Sequence, residues 1–442
     1  MKKIVAIVLA LVLMLSFTCV SAMAEGEDKI VIRLGQPDDG LTPSFLKALE
    51  MTDFYQKYPN VVIEPVFIAD SADYNQKLIT MAMSGSDDID MLWVASASTG
   101  VLANGGVLRN LDDFYANETR FDIHDDEKFI ADAVDTFIKA NGSYYAYPYQ
   151  TDCRIAFWYK PVCEACGYTK DNYPATTEEF ITFCQKVSEA GYCPLAIQYA
   201  TDWTIDYEWA LSLYGSGGTF EKWNEETGKW EANLDNEIGR KWISDVREIS
   251  KTIPGDTLTT MAWDQMCASF STGNVASTFI GTWMWTDCLG RNAEEAEKYD
   301  TTLIPAGSEY SGSSMGGWLL GIFNNASDEH AAIVWDMIEA ISNNPEANAV
   351  ATSNAMPYLR GAYDHFEWAG YDWSKEGWEN FQTQIATAQP ICTPPCEAAA
   401  AIYSAMWTIW QECTMTDKYS VEEATTMLNE RIQSAIDDYY GY

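Results

Sequence analysis

The chain has 442 residues, 65 of them acidic against 27 basic, and a formal net charge of −38 at pH 7. An acidic excess of that size excludes nucleic acid as a natural partner and reads as a solvated surface that aids solubility. The length exceeds what one ordinary core serves, so two domains are expected.

Residues 1–24 read as a secretory signal: Lys2 and Lys3, an apolar run over 4–15, and the small-x-small cleavage site Ala22-Met23-Ala24. The run is too short to span a membrane. Cys19 follows Ser16-Phe17-Thr18, a poor lipobox, so lipid anchoring there is not favoured. A soluble, exported chain is expected, in the periplasm or at the outer cell surface.

Residues 29–34 alternate as a first strand and run into Gly35-Gln36-Pro37-Asp38-Asp39-Gly40. Phe45, Leu49 and Phe54 predict a helix, which Tyr58-Pro59-Asn60 stops before a β-branched strand over 61–67. Ser71 is placed to cap a helix with the face Tyr74, Leu78 and Met81 and with Gly85 at its end; residues 89–94 form a third strand. This alternation predicts a parallel sheet with short crossovers.

Residues 144–160 change character midway. The aromatic stretch Tyr144-Tyr145-Ala146-Tyr147-Pro148-Tyr149 passes through Gln150, Thr151 and Asp152 into the apolar run 155–159, which has the composition of a buried strand. Polar groups at the mouth of a core strand are where small ligands lodge in an open α/β sheet. An acidic acceptor beside aromatic rings suits a neutral ligand covered in hydroxyls, hence a carbohydrate.

Beyond this segment Thr176 and Glu179 form a capping box for a helix through Glu189, and a strand is expected over 195–198. Helices fit Ile238, Trp242, Val246 and Ile249, then Ala331, Val334, Trp335 and Ile338. A last one fits Ala424, Leu428 and Ile436 behind the Ser420/Glu423 box. There is no internal repeat and no low-complexity linker. The segments around Tyr147 and over 311–318 are the best candidates for passages between domains.

Cys163-x-x-Cys166 and Cys392-x-x-x-Cys396 lack the second pair or the histidines that zinc requires, so buried thiols or one or two disulfides are expected. Cys184 lies on the apolar stripe Phe180, Phe183, Val187 and reads as a core thiol. His124, His330 and His365 are scattered among polar residues, and none stands out as catalytic. No metal and no cofactor are called for.

An ordered series of short motifs runs through the chain: Phe54-Tyr55-Gln56-Lys57-Tyr58-Pro59-Asn60-Val61, Asp73-Tyr74-Asn75-Gln76-Lys77-Leu78, Ser84-Gly85-Ser86-Asp87-Asp88-Ile89-Asp90, and Gly105-Gly106-Val107-Leu108-Arg109-Asn110-Leu111-Asp112. After the 147–160 segment come Phe270-Ser271-Thr272-Gly273-Asn274-Val275-Ala276-Ser277, Gly281-Thr282-Trp283, Ile304-Pro305, Gly316-Gly317-Trp318 and Asn324-Asn325-Ala326-Ser327-Asp328-Glu329. In order and spacing the series resembles the family 1 extracellular solute-binding proteins of ABC importers, the group that includes maltose-binding protein. The family's usual Tyr-Asn-Lys is Trp158-Tyr159-Lys160 here, and its Gly-x-Pro-Asp is replaced within 86–90, departures that leave the fold intact.

The resemblance implies an α/β fold of two lobes, each a mostly parallel sheet flanked by helices, closing on a ligand held between them. It places the amino-terminal lobe at about 25–147 plus 320–355 and the other at about 148–315 plus 356–442. It further implies a monomer without catalytic residues, a carbohydrate ligand, and the transmembrane permease subunits of an ABC importer as partner.

Sugars combine apolar C–H faces with a rim of hydroxyls, so their sites pair aromatic platforms with short polar side chains. Asp152 falls where maltose-binding protein carries an acidic ligand holder; the bland alternative is a salt bridge to Arg154 at the hinge surface. On the ligand-holder reading its removal should weaken the ligand by about 1.5–3 kcal/mol and leave unliganded stability little changed. Trp283 falls where the family stacks an aromatic on a sugar ring, and Trp285 would share its side if the segment is extended. Trp318 lies beside two glycines at the second passage. Gln36 and Asp38 after the first strand, and Trp93 and Ser96 at the end of the third, lie at carboxyl ends of strands, where the cleft is expected. Trp203 and Asp206 follow another strand, whereas Trp209, in step with Tyr207, Leu211 and Leu213, reads as core. Tyr358 and Arg360 mark a third passage, and Tyr403 lies on a helix entered through Pro394-Pro395.

A polyamine or other cation is the alternative ligand, since aromatics and carboxylates together form cation-π cages. Arg154 and Arg360 speak against it and would suit a uronic acid, which they can pair bidentately. A glycoside hydrolase, with Asp152 and Asp206 as acid and base, is disfavoured by the lack of paired carboxylates on successive strand ends.

Overall fold

The computed structural model describes residues 29–442 apart from 37–40, 69–73, 126, 130–136, 256–257, 259–260, 263–264, 267, 270–271, 285–296, 353–354, 366–374, 388–390 and 393–395. The expected signal with Cys19, the cap at Ser71, and Asp38, Trp285 and Pro394-Pro395 lie outside the described residues.

Two buried cores organise the chain. The first rests on a five-stranded sheet in the order Val61–Phe67, Ile30–Gln36, Met91–Ala95, Trp318–Ile322, Tyr147–Pro148. Its first three strands run parallel, as the alternation of strand and helix predicts. Val61–Phe67 is an edge strand, which is why Pro65, with no N–H to give a ladder, is tolerated there. Helices Leu41–Glu50 and Asp328–Ser342 bury Phe45, Leu49, Val334 and Ile338 with Ile32, Leu34 and Trp93 of the sheet.

The second core rests on the sheet Tyr299–Thr302, Ile155–Tyr159, Val275–Ile280, Cys193–Ala196. Here the expectation of a mostly parallel sheet is corrected: Ile155–Tyr159 is antiparallel to both neighbours, and only the last pair is parallel. The reason is connectivity. Ile155–Tyr159 enters from the other sheet rather than through a crossover helix, so nothing obliges it to run with its neighbours. Helices Thr177–Glu189 and Val421–Tyr440 begin at the Thr176/Glu179 and Ser420/Glu423 capping boxes, and both boxes are fully formed. Trp242 and Trp410 stack in this core with centroids 5.5 Å apart.

Between the two sheets lies a third, of short strands: Met356–Pro357, Gln150–Cys153, Ser314–Gly316, Ile391–Cys392. Gln150–Cys153 leaves the first sheet and feeds the second, and Ser314–Gly316 makes the return. Cys153, Cys163, Cys166, Cys184, Cys193, Cys396 and Cys413 carry free thiols, in line with thiols rather than disulfides at these positions. Among the described residues no helix is long and apolar enough to cross a membrane.

Candidate functional site

The two linking strands pair antiparallel, with Gly316 opposite Asp152. Just beyond, Arg154 N donates to Ser313 Oγ at 2.8 Å, and that hydroxyl donates to Arg154 O at 3.0 Å. This clamp fixes the backbone from which the Arg154 side chain turns inward, where it is 2% exposed. Its Nη1 donates to Asp152 Oδ1, so the two form a buried ion pair rather than one on the hinge surface. The guanidinium carbon lies 4.8 Å from the Tyr207 ring centroid and 5.0 Å from that of Trp283, within cation-π range of both. Its Nε has no hydrogen-bond partner among the described residues.

Tyr207 reaches this spot because Ile205–Trp209 is a single π-helical turn, a winding that recurs at functional sites because it re-aims side chains. Ser314 Oγ donates to Tyr207 O at 2.7 Å, and the ring lies against bare backbone: a Cβ on Gly316 would come within 2.3 Å of it. The Tyr207 hydroxyl is 3.0 Å from Ser96 Oγ, a hydrogen bond from the end of a first-core strand to the second core. Trp203 meets the Tyr207 ring edge-on at 5.9 Å. Trp283 does not sit in an extended segment. The chain turns at Thr282 and folds the indole back over Gly281, where a Cβ would lie 2.1 Å from the ring.

The π-turn also brings carboxylates. Asp206 accepts from the Tyr214 hydroxyl, while its Oδ2 is buried without a partner among the described residues. Glu208 accepts from Gln198 N at 2.9 Å and Nε2 at 3.0 Å. Burial pushes Asp206 and Glu208 each up to about 7, against the pull of their hydrogen bonds and of the Arg154 charge. Burial also raises the Asp152 carboxyl, and Arg154 opposes the rise.

Beside this group the two cores touch through small residues. Ala97 meets Ala399, Ala400 and Tyr403, with Val101 and Trp203 at the margin. Asn141 N donates to Glu397 Oε1 at 2.7 Å, and Asn104 Nδ2 to the Tyr439 hydroxyl at 2.8 Å.

The structure thus gathers Asp152, Arg154, Asp206 and Trp283, and joins Ser96, Trp203 and Tyr403 to them through Tyr207 and the alanine contact. Other expected site residues make contacts of a different kind. Trp93 is a core residue, fully buried edge-on to Phe45 at 5.4 Å, because strand alternation turns it onto helix Leu41–Glu50. Tyr358 is buried in the same core. Arg360 is exposed and donates through Nε to Phe129 O at 3.0 Å. Gln36 is buried and accepts from the Thr42 hydroxyl. Trp318 is partly exposed against the first core, paired with Ala95. Sequence reasoning missed Tyr207, Glu208 and Ser313. Tyr207 hid in an apparent core stripe that the π-turn breaks.

Known proteins resemble this chain in sequence and in shape. Residues 37–347 match the bacterial extracellular solute-binding protein family. An uncharacterized ABC transporter extracellular-binding protein of Pyrococcus horikoshii is 22% identical over 259 residues, 58% of this chain and 56% of its own length, so the chain spans just over half of that relative. The GacH receptor of Streptomyces glaucescens, solved unliganded and with acarbose, superposes with a TM-score of 0.74 at 18% identity, over 93% of this chain and 100% of its own. A solute-binding protein of Thermotoga lettingae bound to α-D-tagatose gives 0.73 at 18%, with the same shares. One of Listeria monocytogenes in complex with cycloalternan gives 0.74 at 15%, over 94% and 100%. At such identities the likeness is one of fold.

Proposed function

The chain belongs to the bacterial extracellular solute-binding protein family, and on that premise we propose that it is the receptor of an ABC importer. It binds a mono- or oligosaccharide between two lobes and delivers it to membrane permease subunits. The observation that carries the carbohydrate reading is the meeting of Asp152, Tyr207 and Trp283 at the strands that link the two cores. Aromatic faces for C–H surfaces lie beside an acceptor for hydroxyls. The acarbose, tagatose and cycloalternan bound by the structural relatives belong to the same chemical class.

We read the lobes as about 25–147 plus 320–355 and 148–315 plus 356–442, a division in keeping with the two cores except at Tyr149, Met315, Tyr358, Leu359 and Ala362, which pack in the first core. The chain is read as exported and monomeric. The family's name describes extracellular binding rather than catalysis, and the carboxylates proposed for a hydrolase are engaged: Asp152 holds Arg154, and Asp206 holds Tyr214. A cationic ligand such as a polyamine is a second reading. It is favoured by one observation, that the Asp152, Tyr207 and Trp283 seat already holds a cation.

Thermal-shift and calorimetric titration with maltose, maltotetraose, xylobiose, D-tagatose, D-galacturonate and spermidine tests the proposal. Ligand at 100 times its Kd stabilises by about 2.7 kcal/mol, and a receptor returns the sugar intact. A response to spermidine alone overturns the carbohydrate class, and cleavage of an oligosaccharide overturns the receptor.

A further inference from the structure

We propose that Arg154 is a built-in competitor for the ligand: in the unliganded chain its guanidinium takes up the Asp152 acceptor and the Tyr207 and Trp283 ring faces, so neutral sugar binds by exchange. The inference rests on the carbohydrate reading above and assigns to Arg154 the control of affinity and of ligand charge.

An unpartnered guanidinium nitrogen recurs among the described residues, at Arg240 Nε and Arg247 Nη2, so it is the ring faces beside the orphaned donor that mark out Arg154. Arg120, for comparison, is tied to Glu118, Asp336 and Glu339 together. Arg154 has five N–H donors, is nearly excluded from solvent, and leaves Nε without a partner among the described residues. What it has instead are two aromatic faces, the kind of surface that a sugar's C–H groups use. A second unpartnered atom lies nearby: Asp206 Oδ2, on the π-turn that carries Tyr207. The Arg154 charge acts on both Asp206 and Glu208.

These two orphaned groups account for the exchange. When a sugar hydroxyl donates to Asp152 and a sugar face covers Trp283, the guanidinium swings to Asp206, its Nε gains an acceptor, and Oδ2 gains a donor. The arginine keeps an acidic partner throughout, Asp206 releasing its proton to solvent as the guanidinium arrives, while Asp152 exchanges its ion pair for the hydrogen bonds of the sugar's hydroxyls. An acidic sugar has no need of the exchange, because its carboxylate pairs with the guanidinium where it stands. Arg154 thereby sets a threshold that neutral ligands must exceed and acidic ones need not.

The test compares wild type with Arg154→Met, which keeps the stem and removes the charged head, and with Arg154→Lys, which keeps the ion pair and the fold should the methionine variant fail to fold. Acrylamide quenching of tryptophan fluorescence, with Trp283→Phe as the blank, reads whether the ring is covered without any ligand. Calorimetry with the neutral sugars named above reads affinity. The expected result is a Trp283 contribution to quenching that at least doubles. Neutral-sugar Kd should fall about tenfold in Arg154→Met, or about threefold in Arg154→Lys, while galacturonate affinity falls in Arg154→Met. Unchanged quenching, or equal or weaker affinity for a sugar that wild type binds, overturns the exchange and leaves the receptor standing. Absence of binding by every protein to every sugar removes the carbohydrate reading, and the exchange with it.

Discussion

The two sides of the candidate site differ in what they leave unfinished. On the first-core side, Gln36, Trp93 and Ser96 are all buried; Gln36 and Ser96 have their hydrogen bonds, and the atoms left without a partner among the described residues, Trp93 Nε1 and Thr99 Oγ1, are neutral. On the second-core side the atoms left without a partner among the described residues include those of two ionisable groups, Arg154 and Asp206, and the Arg154 charge acts on three carboxyls, those of Asp152, Asp206 and Glu208. Buried polar atoms cost stability when unpaired, so a chain keeps them where something else is gained. The unfinished ionisable groups thus lie on the second-core side, the side on which the proposed site rests.

Removing one member of the buried pair breaks this asymmetry most forcefully. Asp152→Ala leaves the Arg154 charge buried and uncompensated, and should cost about 3–5 kcal/mol of unliganded stability, seen as a fall in the urea midpoint. The expectation from sequence is that Asp152→Ala weakens the ligand while unliganded stability changes little; the buried pair with Arg154 adds a stability cost to that. A wild-type midpoint would mean the pair is not formed in solution.

Trp93→Ala and Trp283→Ala form the sharper contrast. Truncating fully buried Trp93 should cost about 3–5 kcal/mol of stability and leave the Kd of a bound sugar unchanged once the protein is folded. Trp283→Ala should do the opposite, weakening the sugar with a smaller loss of melting temperature. Affinity lost at Trp93 with stability intact would move the site to the other side.

A pH series probes the carboxylates. Asp206 and Glu208 hold their protons up to about pH 7 in the folded chain but release them near their ordinary values of 3.8 and 4.5 when unfolded. Between those limits the folded state binds more protons, so their contribution to stability is full on the acid side and declines as pH rises toward 7. Each proton accounts for about 1.4 kcal/mol per pH unit at most. Asp206→Asn should flatten the wild-type curve between pH 5 and 7, measured by urea melts. A parallel curve would show that Asp206 does not titrate there.

The smallest effect concerns the link between the sides. Tyr207→Phe removes the hydrogen bond to Ser96 and should cost about 0.5–1.5 kcal/mol. A double-mutant cycle with Ser96→Ala should recover most of it as coupling.

What was legible in the sequence was local. The strand Val61–Phe67 announces itself by its β-branched run, and both capping boxes by a serine or threonine three residues before glutamate. Asp152 and Trp283 were found by family resemblance, and the structure brings them to one guanidinium. That meeting itself was not legible. Arg154 meets Tyr207 and Trp283 from far along the chain, and it does so only because a π-turn at 205–209 and a tight turn at Thr282 break the periodicities from which strands and helices are read. Trp93 misled for the converse reason: lying at a strand end is a statement about the backbone, whereas the side chain's face is set by a parity that the sequence left open.

Gly317 stands where the return strand leaves the linking sheet. Its φ is +120°, and a Cβ there would lie 2.0 Å from the Gln150 carbonyl oxygen. Every other amino acid carries that carbon, so no substitution, however small, is silent at this point. In a saturation library sorted for folded protein, position 317 should therefore appear as an empty column. Gly85 and Gly228, which also have positive φ but open space around them, should admit asparagine and aspartate.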